Sequence, residues 1–309
     1  MIFEGFYNEG SKEGYGIEIS KTSDIYIGQF LNNMKSGTGV LFYNRPDSKY
    51  EGNFLMNRKH GLGKDSFQNN SYYEGSYLNG MRTGKGAMYF LNGNFLKGNF
   101  VDGKLEGEGK EKTQNFRYKG VFRAGVKHGF GIIVYEDGNM YKGNFSEGKM
   151  HGKGEFQYSN GNFYKGDFFE NRKQGQGRLE IVCDYKMQTG ADERANRKKE
   201  IIDLYEGEFR NDYFHGKGVL TRKDIGTYKG EFKFGLKCGY GEILYSNKDE
   251  FKGYFQNDVK NGRGEIYYAD RDSSIRGIWR DDYLVKSDKS ARNNYIERDE
   301  KYEDFIEEY

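Results

Sequence analysis

Glycine–lysine–glycine triplets are the residues in this sequence whose spacing first suggests chemistry, because glycine-rich loops bind phosphate in many nucleotide-binding proteins. The stretch HGKGEFQYSNGNFYKGDF, from His151 to Phe168, contains one of them. A phosphate loop of the Gly-x-x-x-x-Gly-Lys-Ser/Thr type needs a hydroxyl residue after the lysine and a helix beyond it. Here Lys85, Lys153 and Lys217 are each followed by glycine, and a strand pattern comes next. The triplets therefore do not predict a nucleotide site.

Histidine and cysteine are the other residue types suited to catalysis or metal binding. The two cysteines, Cys183 and Cys238, are too few for a zinc or disulfide framework. All four histidines stand directly before a Gly-x-Gly pair, so they occupy the same position in copies of a repeat. If each copy forms a β-hairpin, this position in one hairpin lies about 10 Å from the same position in the next, and no third ligand type stands beside it. The sequence thus predicts no metal site, no cofactor and no enzymatic activity. The four are His60, His128, His151 and His215.

The composition is unusual for a globular enzyme. Hydrophobic residues make up 35% of the 309 residues and aromatic residues 17%, so the apolar surface is mostly tyrosine and phenylalanine. There are 45 glycines and one proline, which fits neither collagen nor a disordered linker. The formal net charge of +2 is not that of a nucleic-acid-binding protein. No apolar run approaches the length of a membrane span or signal-peptide core, so we expect a cytoplasmic protein.

A repeat accounts for the glycines. The pattern is aromatic-x-Gly-x-aromatic, then turn residues, then Gly-x-Gly, as in YKGNFSEGKMHGKG from Tyr141 and YEGSYLNGMRTGKG from Tyr73. The step is 22 to 24 residues except between Tyr164 and Tyr205, and 40 of the 45 glycines belong to the pattern. The copies begin at Phe3, Tyr26, Tyr50, Tyr73, Leu96, Tyr118, Tyr141, Tyr164, Tyr205, Tyr228 and Phe251, with a truncated twelfth at Ile275.

Each copy is interpreted as one β-hairpin. In the copy from Tyr73, residues 73, 75 and 77 alternate with Glu74 and Ser76, as the two faces of a strand require. Asn92-Gly93 then provides the tight turn into the next copy. Glycines without a Cβ leave room for the rings to lie against the backbone, so an aromatic ladder can stabilise a sheet that has no second layer.

This pattern resembles the MORN (membrane occupation and recognition nexus) repeat family, whose motif is Tyr-x-Gly-x-Trp/Phe followed by Gly-x-Gly. The resemblance covers about residues 3 to 285, with Leu96 and Ile275 in place of the leading aromatic residue. It implies an all-β fold: an elongated single-sheet array of about twelve consecutive antiparallel β-hairpins. The residue pattern of the tail adds a short C-terminal helix. Residues 1–177 form repeats 1–8, 178–204 a hairpin extension with an inserted charged loop, 205–286 repeats 9–12, and 287–309 an acidic tail.

A lysine stripe is the first candidate binding feature. The second motif position, which points away from the rings, is lysine in four successive repeats: Lys97, Lys119, Lys142 and Lys165. Such a stripe suits an anionic lipid or an acidic protein surface, although exposed strand lysines also serve only to discourage unwanted sheet pairing.

The insertion and the tail are the other two candidates. The insertion is either functional or a surface excursion. The tail from Asn294 has seven acidic and two basic residues, a net charge of −5, and its apolar residues share one side of a predicted helix. We expect it either to cap the last hairpin or to dock on a partner. The apolar residues are Tyr295, Tyr302, Phe305, Ile306 and Tyr309.

The resemblance implies a non-enzymatic scaffold that binds other proteins of a cytoskeletal assembly. MORN-only chains of this kind are similar to radial spoke head proteins, which implies the ciliary or flagellar axoneme as the location. The alternative is a membrane tether that binds anionic phospholipids through the lysine stripe. We also expect a homodimer through open edge strands, and no nucleic-acid partner.

Overall fold

The structure is a computed structural model that describes residues 1–186 and 197–288. The chain divides into two compact units, Met1–Tyr213 and Phe214–Tyr309. Strands of seven to ten residues predominate, joined by tight turns, and every observed pairing of strands is antiparallel. Within each unit the strands pair in chain order, so each unit is a sheet built from successive hairpins.

The first unit contains strands β1–β17, and strand β18 begins at its last residue. Their bounds are β1 (Ile2–Asn8), β2 (Ser11–Ile19), β3 (Ile25–Leu31), β4 (Met34–Phe42), β5 (Lys49–Leu55), β6 (Arg58–Ser66), β7 (Tyr72–Leu78), β8 (Met81–Tyr89), β9 (Phe95–Val101), β10 (Lys104–Lys112), β11 (Phe116–Arg123), β12 (Val126–Tyr135), β13 (Met140–Ser146), β14 (Lys149–Gln157), β15 (Phe163–Phe169), β16 (Arg172–Lys186) and β17 (Arg197–Arg210). The remaining strands are β18 (Tyr213–Arg222), β19 (Gly226–Lys233), β20 (Leu236–Tyr245), β21 (Glu250–Gln256), β22 (Val259–Tyr268), β23 (Ser273–Arg280) and β24 (Tyr283–Ser287).

A row of glycines crosses the strands of each unit, and each glycine lies directly opposite the next. We call this the glycine row. The side of the sheet on which aromatic rings pack against these glycines is called the ring face. Its members in the first unit are Gly5, Gly16, Gly28, Gly39, Gly52, Gly63, Gly75, Gly86, Gly98, Gly109, Gly120, Gly131, Gly143, Gly154, Gly166, Gly177 and Gly207. In the second unit they are Gly218, Gly230, Gly241, Gly253, Gly264 and Gly277.

Aromatic rings pack against the glycine row. The ring of Tyr50 covers Gly52 and Gly63, and Tyr50 is fully buried although none of the described residues forms a second layer above it. Each ring meets the next edge to face, with centroids 4.9–5.4 Å apart from Phe3 to Phe100. The same contacts continue from Phe122 to Phe209. This aromatic ladder, with the backbone beneath it, is the core.

The tyrosine hydroxyls explain why the first ring of a repeat is usually tyrosine. In hairpins that contain a Gly-x-Gly pair, a β-bulge interrupts the pairing after the motif's glycine. The bulged part of the second strand contains the left-handed first glycine of Gly-x-Gly, such as Gly37 with φ 83°. The Tyr26 hydroxyl donates a hydrogen bond to the carbonyl oxygen of Gln29 at the bulge, 3.0 Å away. Equivalent bonds come from Tyr50, Tyr73, Tyr118, Tyr141, Tyr164, Tyr205 and Tyr228.

Basic side chains cover the outer edge of the ladder. The ammonium groups of Lys12 and Lys35 lie over rings and pair with Glu18, which is buried. Burial opposes ionisation of Glu18, but the hydrogen bonds and positive charge of the two lysines outweigh it and lower its pKa. In the next repeats Lys59 pairs with the buried carboxylate of Asp65 in the same way.

Asparagine and aspartate side chains in the turns link each hairpin to its neighbour. Oδ1 of Asn57 accepts a hydrogen bond from the backbone N–H of Lys35 in the preceding hairpin, at 2.8 Å. At the opposite edge, Oδ1 of Asp24 accepts one from Asn44, also at 2.8 Å. The turns therefore add to the stability between repeats as well as closing the hairpins. Equivalent bonds are accepted by Asn33, Asn139, Asn171, Asp212, Asp249, Asp258 and Asp282.

The aromatic ladder of the first unit is interrupted at the repeat that begins with Leu96. Here leucine replaces the first ring, and Leu105 occupies the place that lysine or arginine holds in most repeats. Leu105 is buried, and one of its methyl groups is the side-chain atom closest to Gly98, where most other repeats place a tyrosine hydroxyl. Two aliphatic side chains thus replace a ring and its covering cation.

The predicted all-β array of antiparallel hairpins is confirmed. The truncated twelfth copy also forms a hairpin, β23–β24, and its Trp279 packs edge to face on Phe251 with centroids 5.2 Å apart. Strands β16 and β17 are 15 and 14 residues long and stay paired as far as Lys186 and Arg197. The predicted C-terminal helix lies outside the described residues.

Replacing a glycine in the row by alanine should be costly where an aromatic ring lies tightly against it. A Cβ on Gly63 would lie 2.3 Å from the Tyr50 hydroxyl oxygen, which nothing but movement of the ring can relieve. We expect Gly63→Ala to lower the free energy of unfolding by roughly 2–3 kcal/mol, as overpacking does elsewhere. Urea denaturation followed by circular dichroism measures this change.

Gly109 provides the matched control, because it holds the same motif position beside the ladder gap. Its added Cβ would meet Phe122 at 3.0 Å, a contact that a small ring shift relieves. We expect Gly109→Ala to cost about 1 kcal/mol or less. Equal losses in the two variants would show that the ring contact does not set the cost.

Alkaline pH should unfold the array. Burial disfavours the charged phenolate and raises the pKa of Tyr26 and of Tyr118 to about 12 from the ordinary 10.0. A raised acid pKa contributes stability that is fully present below pH 10 and is lost as the pH rises towards 12. Circular dichroism and tyrosinate absorbance should change together over this range. Complete tyrosine ionisation with unchanged circular dichroism would contradict the prediction.

Candidate interaction surface

The side of the sheet opposite the ring face is largely exposed, and we call it the open face. It bears the second motif position and the residue after each Gly-x-Gly pair, because the glycines lie opposite one another and so do their neighbours. In the first unit these residues form one row across the strands, the outer row: Glu4, Ile17, Ile27, Val40, Glu51, Lys64, Glu74, Ala87, Lys97, Lys110, Lys119, Ile132, Lys142, Glu155, Lys165, Arg178 and Glu206.

In most of the outer row, each lysine or arginine has a carboxylate on a neighbouring strand. Lys64 lies directly between Glu51 and Glu74. The ammonium group of Lys165 is 3.0 Å from a carboxylate oxygen of Glu155. The corresponding row of the second unit alternates in the same way, and reads Val219, Lys229, Glu242, Lys252, Glu265 and Arg276.

Strands β9–β13 break this alternation. Lys97, Lys110 and Lys119 lie directly opposite one another on three adjacent strands, and Lys142 follows after Ile132. Directly opposed like charges destabilise a sheet pair. The local charge therefore works against the stability of the sheet at this place.

Two further cations lie beside these four on the open face. Lys112 and Arg117 are opposite each other, two residues along the strands from Lys110 and Lys119. In the part of the chain that the structure describes, none of the six forms an ion pair. Glu108, on the same face opposite Val121, offsets one of the six charges. We call Lys97, Lys110, Lys112, Arg117, Lys119 and Lys142 the basic patch.

A cleft of about 700 Å³ opens at one edge of the basic patch. Lys112 and Arg117 line it together with Phe116, Val134 and Glu136, which directly follows β12. Val134 lies opposite Arg117, and Met140 lies opposite Val134, so an apolar strip runs beside the cations. The surface therefore offers both positive charge and exposed hydrophobic contacts.

The four lysines of the predicted stripe are all exposed on one face, but they do not form a uniform stripe. Lys165 is paired with Glu155, and Ile132 separates Lys142 from the other lysines. Lys110 was missed because it stands after a Gly-x-Gly pair rather than in the second motif position. The signal that could have revealed it is the glycine-to-glycine register. It places the residue before Gly98, the residue after Gly109 and the residue before Gly120 opposite one another in one row. The tail residues Tyr295, Tyr302, Phe305, Ile306 and Tyr309 lie outside the described residues.

The histidine slot places each side chain next to a hairpin turn. His60, for example, is opposite Asn53 at the bulge. Within residues 1–186 and 197–288, no group of three or more His, Cys, Asp or Glu residues is arranged to hold a metal ion. The same residues include no helix that is long and apolar enough to cross a membrane.

Comparison with known protein families identifies the repeat. The family model described as MORN repeat matches eleven stretches, and together they cover most of the chain. The matched residues are 3–25, 26–44, 50–72, 73–95, 97–115, 118–140, 141–163, 164–181, 205–224, 228–250 and 251–273. No curated protein gives a significant match to the chain.

Reversing the charge at the centre of the basic patch should stabilise the fold. In Lys110→Glu the new carboxylate would lie between Lys97 and Lys119 and replace two repulsive pairs by attractive ones. We expect the free energy of unfolding to rise by about 0.5–2 kcal/mol, since each cross-strand pair contributes about 0.2–1 kcal/mol. Urea denaturation at low salt measures the gain, which should shrink as salt is added.

Lys64→Glu is the matched control in the same row. It would place three glutamates side by side, because Lys64 lies between Glu51 and Glu74. We expect this variant to lose a similar amount of stability. If both variants changed stability in the same direction, the proposed charge pattern of the outer row would be wrong.

Proposed function

Because this chain belongs to the MORN repeat family, we propose that it is a non-enzymatic scaffold that binds other proteins on its open face. MORN repeats are generally protein- or lipid-binding modules. The observation that supports the proposal is the difference between the two faces of the sheet. Rings fill the ring face, whereas the open face presents rows of exposed side chains in constant register.

A more specific proposal is that the protein is a component of a cytoskeletal assembly, such as the ciliary or flagellar axoneme. Its support is the repetition of one small surface across many strands, which suits attachment of several partners along a fixed frame. A radial spoke head-like role belongs to this proposal. So does a homodimer through edge strands, because β1 pairs only with β2 among the described residues and can accept another strand.

A membrane tether is the second candidate function. The unpaired cations of the basic patch favour it, since clustered lysines attract anionic phospholipids. The patch covers fewer strands than the predicted stripe, however, because Lys165 is paired with Glu155. Vesicle binding, which tests this candidate, forms one arm of the experiment in the next subsection.

Proximity labelling in the native cell tests the scaffold proposal. We expect the tagged full-length chain to label a reproducible set of cytoskeletal proteins and to remain with the detergent-insoluble cytoskeleton. A folded scaffold is required for this, so Gly63→Ala should reduce the labelling while Gly109→Ala leaves it nearly unchanged. Complete release by detergent, together with labelling of membrane proteins alone, would favour the tether instead.

A further inference from the structure

We propose that the basic patch is the docking site for an acidic α-helix of a partner protein, which lies across strands β9–β13 along the outer row. This inference rests on the proposed scaffold function and makes it more specific. It names the surface, the secondary structure of the partner segment and the spacing of its carboxylates. The unmatched charges of the patch are the starting point.

The arrangement of charges favours an anionic partner. Elsewhere in the outer row a carboxylate lies beside the cations, as between Lys64 and its two glutamates or between Lys165 and Glu155. At Lys97, Lys110 and Lys119 the sheet instead tolerates two repulsive cross-strand pairs. Carboxylates supplied by a partner would relieve the repulsion and add charge-assisted hydrogen bonds.

The spacing of the row matches one face of a helix. Adjacent strands are about 4.8 Å apart, so the five positions from Lys97 to Lys142 span about 19 Å. Helix positions i, i+3, i+7, i+10 and i+14 share a face and span about 21 Å at a rise of about 1.5 Å per residue. Carboxylates at i, i+3, i+7 and i+14 would thus meet the four lysines. An apolar residue at i+10 would meet Ile132.

The apolar strip provides the remaining contacts. Val134 and Met140 are 43% and 37% exposed and lie next to the row, where apolar residues at the helix flank can cover them. Lys112 and Arg117, at the edge of the cleft, are placed for a further carboxylate on the same flank. A binding surface that combines hydrophobic contacts with charges in a fixed line fits a protein segment.

The borders of the patch favour a helix over a lipid bilayer. In the outer row the exposed Glu74 lies two strands before Lys97, and Glu155 lies directly opposite Lys142. An anionic membrane extends in all directions and would meet these carboxylates, whereas a helix of about 21 Å ends at them. The surface therefore fits a narrow anionic partner.

A designed peptide tests the proposal with the full-length chain. The probe is a labelled helical peptide with Glu at i, i+3, i+7 and i+14 and Leu at i+10. The comparison peptide has the same composition, with the glutamates distributed around the helix. Fluorescence anisotropy should show binding of the first peptide at least about tenfold tighter than the second, with affinity that falls as salt is added.

Two triple variants locate the site. Lys97→Gln, Lys110→Gln and Lys119→Gln together should weaken binding by about tenfold or more, since each exposed ion pair contributes about 0.2–1 kcal/mol. The matched control is Lys64→Gln, Lys229→Gln and Lys252→Gln, which removes the same charge from places where glutamates are neighbours. The control should bind as the unmodified chain does, and circular dichroism checks that both variants are folded.

Three outcomes would overturn the proposal. They are equal binding of the two peptides, equal weakening by the two triple variants, and binding to phosphatidylserine vesicles without binding to the designed peptide. The last outcome would support the membrane tether. Failure of the peptide test with normal labelling of cytoskeletal proteins would remove only the helix-docking proposal, because the scaffold proposal depends on that labelling.

Discussion

The contact between an aromatic ring and two opposed glycines is the interaction on which the rest of the structure depends. A sheet with one layer has no second sheet or helix to cover its apolar side chains, so the rings must be buried against their own backbone. This is feasible only where neither strand carries a Cβ, as at Gly52 and Gly63 beneath Tyr50. The edge-to-face contact with the next ring then carries the burial from one hairpin to the next. Local in sequence, these contacts become a continuous core only through their repetition.

Because the rings pack on one side only, the two faces of the sheet contribute differently to the stability of the fold. The ring face holds the buried tyrosines, the bulge hydrogen bonds and ion pairs such as Lys12–Glu18. The open face contributes little burial, and its charges can vary from repeat to repeat without disturbing the rings. Variation of this kind is seen between Lys64, which has two glutamates as neighbours, and Lys110, which has two lysines. Residues of the open face can therefore change without loss of the contacts between rings and glycines.

The hairpin array could be predicted from the sequence because glycines and rings recur at a constant spacing and strands alternate with period two. The sequence also indicated the face occupied by the lysines at the second motif position. It did not show that Lys110 and Lys119 are direct neighbours, since that requires the register between hairpins, which the glycine row fixes only after the strands pair. The two kinds of glycine were equally hard to separate. Gly37 is needed for its left-handed conformation and Gly39 for its missing Cβ, yet both belong to the same Gly-x-Gly motif. The hydrogen bond donated by the tyrosine hydroxyl could not be predicted either, because it depends on the β-bulge, which no sequence motif indicates.

The glycine row also limits how such a chain can change its length. One extra residue within a strand would turn every later side chain of that strand to the opposite face and place a ring where a charge belongs. Whole hairpins, by contrast, can be gained or lost with the row intact. Added residues beyond the ends of the strands also leave the glycine row intact. Strands β16 and β17, for example, stay paired past the row as far as Lys186 and Arg197. Evolution of this architecture should therefore proceed by duplication of complete repeats and by elongation of the loops at the two margins of the sheet.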